Sequence, residues 1–138
     1  MLYDIFRFNG EYHLLELRIR ENWNSFDKFI LIQGDKTYQG DEKLKLFGDS
    51  ERREYSWALE KLEIHTVLLD SKNNMQEKSA WDNEDLTFNY ADELVRLKNT
   101  DDFFFLSDID EIPNNKIISE TVKNYKDPVT FEQDFFYY

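Results

Sequence analysis

One stretch of the sequence decides the fold: Asp102-Phe103-Phe104-Phe105-Leu106-Ser107-Asp108-Ile109-Asp110-Glu111-Ile112-Pro113. Its apolar run lacks the alternation of a half-exposed strand, so it predicts a strand buried on both faces, as in the parallel sheets of α/β proteins. Pro113 then ends regular pairing. In such sheets, ligands bind just beyond the carboxyl ends of the strands. The carboxylates of Asp108, Asp110 and Glu111 are therefore predicted to lie at a ligand site.

The three carboxylates predict a bound cation. Carboxylates placed close together repel one another, and each costs free energy to remove from water, so a stable cluster usually holds a metal ion. Hard oxygen ligands suit Mn²⁺ or Mg²⁺, whereas the chain has no cysteine and only two histidines, which argues against zinc. We expect Mn²⁺ or Mg²⁺ at the strand end, available to a ligand that carries phosphate.

Composition and charge narrow the class of protein. With 138 residues, 41% of them hydrophobic and 17% aromatic, the chain is predicted to fold as a single domain over residues 1–138. A net charge of −12 argues against a nucleic acid or an anionic membrane as the main partner. No segment approaches the roughly 18 apolar residues of a membrane span. The N-terminus lacks the pattern of a signal peptide, so a cytoplasmic protein is expected.

Apolar periodicity predicts alternating strands and helices. Strand, helix and strand within about thirty residues form a right-handed βαβ unit, which places the polar loop 36–41 at the same sheet edge as the acidic cluster. Residues 70–80 are predicted to be a loop. Strands are predicted at 2–8, 26–33, 64–69, 103–106 and 129–138, and helices at 11–23, 49–62, 81–98 and 114–125.

The predicted last strand ends in four aromatic residues, Phe135-Phe136-Tyr137-Tyr138. An exposed aromatic edge of this kind favours pairing with another chain. We therefore expect either a covering partner or a homo-oligomer formed through this C-terminal strand.

A strand followed by Asp-x-Asp fits three interpretations. In a nucleotide-sugar glycosyltransferase, the carboxylates hold a metal that binds the donor's diphosphate and neutralises the leaving group. In a phosphatase of the haloacid-dehalogenase type, they supply a nucleophile and an acid, but that motif normally lies in the first strand. In the third interpretation, the acidic residues merely cap the following helix.

Four stretches together, including part of the one quoted above, favour the first interpretation. They are Asp4–Glu11, Leu14–Arg18, Phe26–Ile32 and Phe104–Pro113, and Thr37–Gly40 and Trp81–Glu84 add less specific matches. In this order they resemble family 17 glycosyltransferases, the family of the β-1,4-mannosyl-glycoprotein β-1,4-N-acetylglucosaminyltransferases. The resemblance covers nearly the whole chain, but only about the N-terminal half of the family's pattern. The half that usually supplies the acceptor platform and the catalytic base is not matched.

The resemblance implies a GT-A-like, three-layer sandwich with a mostly parallel sheet, truncated relative to the family. It also implies inverting transfer from a UDP-sugar, such as UDP-N-acetylglucosamine, to a glycan or glycoconjugate acceptor, with a divalent metal. By residue, it assigns the metal and diphosphate site to Asp108 and Asp110. Glu111 is expected to orient their loop rather than to act as a base.

The remaining substrate-binding assignments follow from position in this fold. Residues at the ends of the first two strands would line the nucleotide, and residues at the start of the third long helix would close over the donor. The first group comprises Phe6, Arg7, Gln33 and Asp35, and the second comprises Trp81 and Glu84.

One position departs from the family's pattern. Members tend to carry an Arg-Asn pair on the helix after Trp81, whereas this chain has Phe88-Asn89. Loss of that arginine would weaken contacts to the diphosphate unless Arg7, Arg52, Arg53 or Lys36 replaces it. The alternative function is therefore a non-catalytic or truncated nucleotide-sugar-binding module that needs a partner or self-association.

Overall fold

The computed structural model describes residues 1–43, 46–71 and 80–131. Every strand pairing within these ranges is parallel, in the order β3-β2-β1-β4. The α/β class and the parallel sheet predicted from sequence are confirmed. Along the chain the elements are β1 (Leu2–Arg7), α1 (Tyr12–Asn22), β2 (Lys28–Gly34), α2 (Asp49–Glu54), β3 (Leu62–Val67), α3 (Ala80–Arg96), β4 (Phe103–Asp108) and α4 (Asn115–Asn124).

The strand order creates a crevice between β1 and β4. From β1 the chain adds β2 and β3 on one side and then returns across the sheet to place β4 on the other side of β1. In open α/β sheets, ligands usually bind beyond the carboxyl ends of the strands, at the point where the strand order reverses. The end of β4 that carries the acidic cluster is therefore also the end of the crevice.

Helices cover both faces of the sheet. Alternate residues of β1 point to opposite faces, as in any strand: Phe6 packs into a core with Leu15 and Ile19 of α1, whereas Ile5 packs into a second core with Ala91 of α3. The fold thus has three layers. In residues 1–43, 46–71 and 80–131, no helix is both long and apolar enough to cross a membrane.

The predicted helix 49–62 is shorter than expected. In the structure, α2 ends at Glu54 and β3 begins at Leu62. Between them the backbone makes tight turns, because the N–H groups of Ala58 and Lys61 donate to carbonyls three residues earlier, at 2.8 and 3.0 Å. These turns still bury Ala58 and Leu62, so the apolar spacing reflected burial rather than a continuous helix.

The prediction that β4 is buried on both faces is wrong. β4 is the edge strand of the described sheet, and Phe103 and Leu106 are 37% and 49% exposed. The ring of Phe105 packs against Phe26 and stacks on Phe131, with ring centroids 5.3 and 5.6 Å apart.

Two predicted segments fall largely outside the described residues. The predicted last strand, 129–138, is described only over 129–131, where the backbone is not in a strand. Residues 132–138 lie outside the described part, as do 72–79 of the predicted loop 70–80. Self-association through the C-terminal strand stays a prediction.

We predict that Gly34→Ala destabilises the protein. A Cβ at this last residue of β2 would lie 2.3 Å from Leu69 Cδ1 and 3.0 Å from the Lys36 carbonyl oxygen, so the connection after β2 would have to shift. Overpacking of this kind typically costs about 1–3 kcal/mol. Urea unfolding followed by circular dichroism measures the loss.

Gly48→Ala is the matched control, because its added Cβ would meet only Glu51 Oε2, at 3.6 Å. We expect a much smaller change in the free energy of unfolding. Equal losses for the two variants would contradict the steric explanation.

Candidate functional site

The ends of β1 and β4 meet in the crevice. Arg7 and Asp108 are register partners on these parallel strands. Next to them lies a cavity of about 300 Å³. The described residues of its walls combine carboxylates, a guanidinium and apolar residues: Arg7, Phe8, Asn9, Glu11, Leu14, Tyr38, Glu84, Asp108, Ile109 and Asp110.

Arg7 links β4 to α3 across this cavity. Its Nε donates to Asp108 Oδ1 at 2.7 Å, and its Nη1 donates to Glu84 Oε1 at 2.9 Å. Its guanidinium carbon also lies 3.8 Å from the centroid of the Phe88 ring. Although burial lowers the pKa of Arg7, the hydrogen bonds to Glu84 and Asp108 raise it above its ordinary value. Arg7 is therefore a fixed positive charge between two carboxylates.

The loop after β4 is closed by its own backbone and by Glu111. The Asp108 N–H donates to Glu111 Oε2 at 2.9 Å, and the Glu111 N–H donates to the Asp108 carbonyl at 3.1 Å. Asp110, at the tip of this turn, is exposed. Within the described ranges, its carboxylate has no hydrogen-bond or ion-pair partner. The turn thus presents Asp110 to solvent at the cavity wall.

Arg18 of α1 holds this loop from the other face of the sheet. Its side chain is fully buried and forms a two-bond ion pair with the equally buried Asp4, at 2.8 and 2.6 Å. The remaining donors reach the loop: Nη1 donates to the Asp108 carbonyl at 2.7 Å, and Nη2 donates to Ser107 Oγ at 2.6 Å. Weaker bonds run to the carbonyls of Ile109 and Glu111, at 3.3 and 3.2 Å.

Sequence reasoning missed the role of Arg18. The signal was present, because Arg18 and Asn22 occupy positions of the buried stripe that Leu15 and Ile19 define on α1. Asn22, one turn after Arg18, donates from Nδ2 to the Pro113 carbonyl at 3.0 Å. Polar residues on an apolar stripe require buried partners, and here the partners are the two ends of the acidic loop.

Gln33 and Asp35 use their polar atoms within the chain. Gln33 is buried, and its amide exchanges hydrogen bonds with the backbone of Phe47, at 2.8 and 3.0 Å. Asp35 accepts from the Leu69 N–H at 2.8 Å and from Lys36 Nζ at 2.7 Å. Neither residue lines the cavity, and their predicted contact with the nucleotide stays a prediction.

The other predicted residues are spread around the site. Glu84 and Asp108 line the cavity with Arg7. Phe6 is buried beneath Arg18, whose guanidinium carbon lies 4.6 Å from its ring centroid. Trp81, in the first turn of α3, is 72% exposed and is not among the lining residues.

Tyr38 is a lining residue that the predicted set did not include. Its carbonyl accepts a hydrogen bond from Asn83 Nδ2 at 3.0 Å, and Asn83 also bonds the backbone of Asp70. Burial raises the pKa of Tyr38, and the nearby side chain of Thr87 offsets part of this rise. Asn83 therefore fastens the loop after β2 to α3, which brings the ring of Tyr38 to the cavity.

The glycosyltransferase family 17 model matches residues 1–129. The chain belongs to glycosyltransferase family 17. Neither the search of curated proteins nor the search of solved structures gave a significant match. Family membership indicates transfer of a sugar from a donor to an acceptor, whereas the GT-A assignment, the metal and the UDP-sugar stay predictions.

Position 88 can now be interpreted within this family 17 domain. Phe88 replaces the arginine that the resemblance leads one to expect, and its ring lies against Arg7. The guanidinium of Arg7, which comes from β1, therefore lies beside the position on α3 at which the family's arginine is expected. Of the replacements considered for the absent arginine, Arg7 alone lines the cavity described above.

The carboxylates of the family 17 loop suit a hard divalent cation. In the described part of the chain, no three His, Cys, Asp or Glu side chains form a ready-made metal cage. Mg²⁺, however, is often held by only one or two carboxylates together with substrate phosphates. Asp110 is open to solvent, and Asp108 uses only Oδ1 in its bonds to Arg7. These two residues would therefore hold the cation.

We predict that Arg18→Met strongly destabilises the domain. The change leaves the Asp4 carboxylate buried without its counter-charge, and breaking a buried pair in this way typically costs about 3–5 kcal/mol. Arg18→Lys keeps the charge but cannot make the two-bond pair, so an intermediate loss is expected. Urea and thermal unfolding measure both variants.

Arg20→Met is the control for this experiment, since Arg20 is 59% exposed and pairs with Glu16 on the surface of the same helix. Its loss should stay below about 1 kcal/mol. A loss for Arg18→Met no larger than for Arg20→Met would mean that the buried pair does not hold the loop.

We also predict a pH-dependent contribution from Asp35. Burial raises the pKa of Asp35, but the bonds from Lys36 and the Leu69 N–H lower it more, so the folded-state pKa lies below its ordinary value. The stabilisation is present above the unfolded-state pKa of about 3.9 and is lost as the pH falls through the lower folded-state pKa. Asp35→Asn should therefore be less stable than wild type at pH 6, and the difference should shrink towards pH 2.

Unfolding free energies measured from pH 6 to pH 2 test this prediction. Lys36→Met removes the strongest of the influences that lower the pKa, so in that background the effect of Asp35→Asn should depend less on pH. A wild-type advantage that stays constant across the range would rule out the charge of Asp35 as its source.

Proposed function

We propose that this family 17 domain binds a UDP-linked sugar, most simply UDP-N-acetylglucosamine, in the cavity between β1 and β4. The sugar would then be transferred with inversion to a glycan or glycoconjugate acceptor. The observation that carries the proposal is the placement of the Asp108–Asp110 turn, within a family of glycosyltransferases, at the reversal of strand order. Ligands of open α/β sheets bind at this position.

The charge of the cavity supports metal dependence. Among the described residues, its lining includes four carboxylates, those of Glu11, Glu84, Asp108 and Asp110, and one guanidinium, that of Arg7. A diphosphate would be repelled by this surplus of negative charge unless a cation accompanied it. Mn²⁺ or Mg²⁺ held by Asp108 and Asp110 would reverse the balance and, when bound, would supply a Lewis acid that offsets charge on the leaving diphosphate.

The chain's own residues would orient the donor. Arg7 lies beside Asp108 and offers the guanidinium for phosphate oxygens. Tyr38 brings an aromatic residue to the same cavity, and the face of its ring would suit a nucleobase or a sugar. Inverting transfer also requires a base near the acceptor hydroxyl. We assign no residue to that role.

Calorimetric titration of UDP and UDP-N-acetylglucosamine tests the proposal. We expect wild type to bind both ligands in the presence of Mn²⁺. The affinity should fall at least tenfold when EDTA replaces Mn²⁺ and likewise in the Asp110→Ala variant. This is the scale of a single charge-assisted contact, about 1.5–3 kcal/mol. Asp101→Ala is the matched control: Asp101 is also an exposed aspartate, but it precedes β4 and so lies at the opposite end of the strand. Its binding should equal that of wild type.

A transfer or hydrolysis assay on the same samples separates turnover from binding. Consumption of the donor identifies an enzyme, whereas metal-dependent binding without consumption identifies a binding module. If wild type binds neither ligand with or without Mn²⁺, the proposed donor site is wrong.

A further inference from the structure

Arg7 and the acidic turn share one carboxylate. Asp108 Oδ1 accepts a hydrogen bond from Arg7 Nε at 2.7 Å and is also in ion-pair contact with Arg7 Nη2. The same carboxylate would be a ligand of the divalent cation in the proposed function, on which this inference rests. A guanidinium and a metal ion repel each other when they approach one carboxylate. The position of Arg7 therefore opposes binding of a cation while the donor is absent.

Arg7 is held at this position by contacts on three sides. Glu84 accepts a hydrogen bond from Nη1 at 2.9 Å, and Asp108 accepts one from Nε. The Phe88 ring centroid lies 3.8 Å from the guanidinium carbon. The Arg7 side chain is only 9% exposed. Water therefore screens the guanidinium less than it screens an exposed arginine, although the Asp108 side chain itself is 46% exposed.

A diphosphate would remove this opposition. Phosphate oxygens accept strong, often two-bond hydrogen bonds from arginine, so a bound diphosphate offers the guanidinium another anionic partner in the same cavity. The Phe88 ring would keep the guanidinium at the wall of the cavity while its hydrogen-bond partner changes. Asp108 would then be released to share the cation with Asp110.

We propose that Arg7 couples the two ligands: it opposes binding of the cation at Asp108 until the donor's diphosphate engages the guanidinium. Cation and nucleotide then bind with positive cooperativity, and by thermodynamic linkage each increases the affinity of the other by the same factor. Arg7 is a positioning residue in this scheme, because it acts on the cation through Asp108.

Calorimetric titration of Mn²⁺ into the nucleotide-free chain is the direct test. Arg7→Met and Arg7→Gln remove the positive charge and should increase the affinity for Mn²⁺ alone by roughly 5- to 150-fold, the usual range for coupled sites. Loss of a purely structural contact would not increase affinity. With saturating UDP, the affinity of wild type for Mn²⁺ should rise, and that UDP-dependent gain should shrink in both variants.

Two further variants control for charge. Arg7→Lys keeps the positive charge but not the forked contacts to Asp108 and Glu84, so its gain in affinity for Mn²⁺ should be smaller than that of Arg7→Met. Arg96→Met changes the net charge equally, but Arg96 is 75% exposed and pairs with Asp92 near the end of α3; it should leave the affinity for Mn²⁺ unchanged. Circular dichroism and urea midpoints establish whether each variant is folded. If Arg7→Met does not fold, Arg7→Gln provides the test in its place.

The results distinguish this inference from the proposed function. If Arg7→Met and Arg7→Gln bind Mn²⁺ alone no more tightly than wild type, the coupling role of Arg7 is overturned, even when UDP binds as proposed. If Mn²⁺ binds neither wild type nor any of the variants, the coupling role of Arg7 is also overturned. Failure of wild type to bind UDP overturns the donor site instead, and an effect of Arg7 on Mn²⁺ alone would still be visible in the nucleotide-free titration.

Discussion

The buried ion pair between Arg18 and Asp4 is the constraint on which the acidic turn depends. A buried pair is weak evidence for stability by itself, because desolvation offsets most of its attraction. Here, however, the guanidinium has further partners in Ser107 and in the carbonyls of the turn. One fully buried side chain, that of Arg18, thus satisfies a carboxylate on β1 and the backbone of the loop that follows β4, the neighbouring strand in the sheet. The helix α1, the central strand β1 and the acidic turn are consequently fixed relative to one another.

Strand alternation separates this structural pair from the candidate site. Asp4 points to the face covered by α1, where it meets Arg18, whereas Arg7 points to the opposite face and meets Glu84 and Phe88 of α3. Three residues along a strand reverse the face. The two arginines therefore serve the same loop from opposite sides of the sheet, one through backbone carbonyls and the other through the Asp108 carboxylate. A single strand of six residues thereby supports both the shape and the charge of the turn.

The sequence predicted the layered α/β architecture and the edge of the sheet at which the acidic turn lies, because unbroken apolar runs and the strand-end position of Asp108 and Asp110 are local features. It did not predict that β4 lies at the edge of the described sheet, since a run of phenylalanines has the same pattern whether one face is covered or two. The partners of Arg18, and the role of Asn83 in bringing Tyr38 to the cavity, depend on contacts between residues far apart in the chain. Gln33 and Asp35 illustrate the same limit: they end a strand beside the site, yet their polar atoms bond Phe47, Leu69 and Lys36.

Asp108 itself is bound through three different groups. Its N–H donates to Glu111, its carbonyl accepts from Arg18, and its carboxylate accepts from Arg7. Fixing the backbone of a residue costs about 1–2 kcal/mol of conformational entropy, and in this turn that cost is met when the chain folds. A ligand that binds at Asp108 therefore encounters a residue whose freedom has already been removed, and little of its binding free energy is spent on ordering the protein.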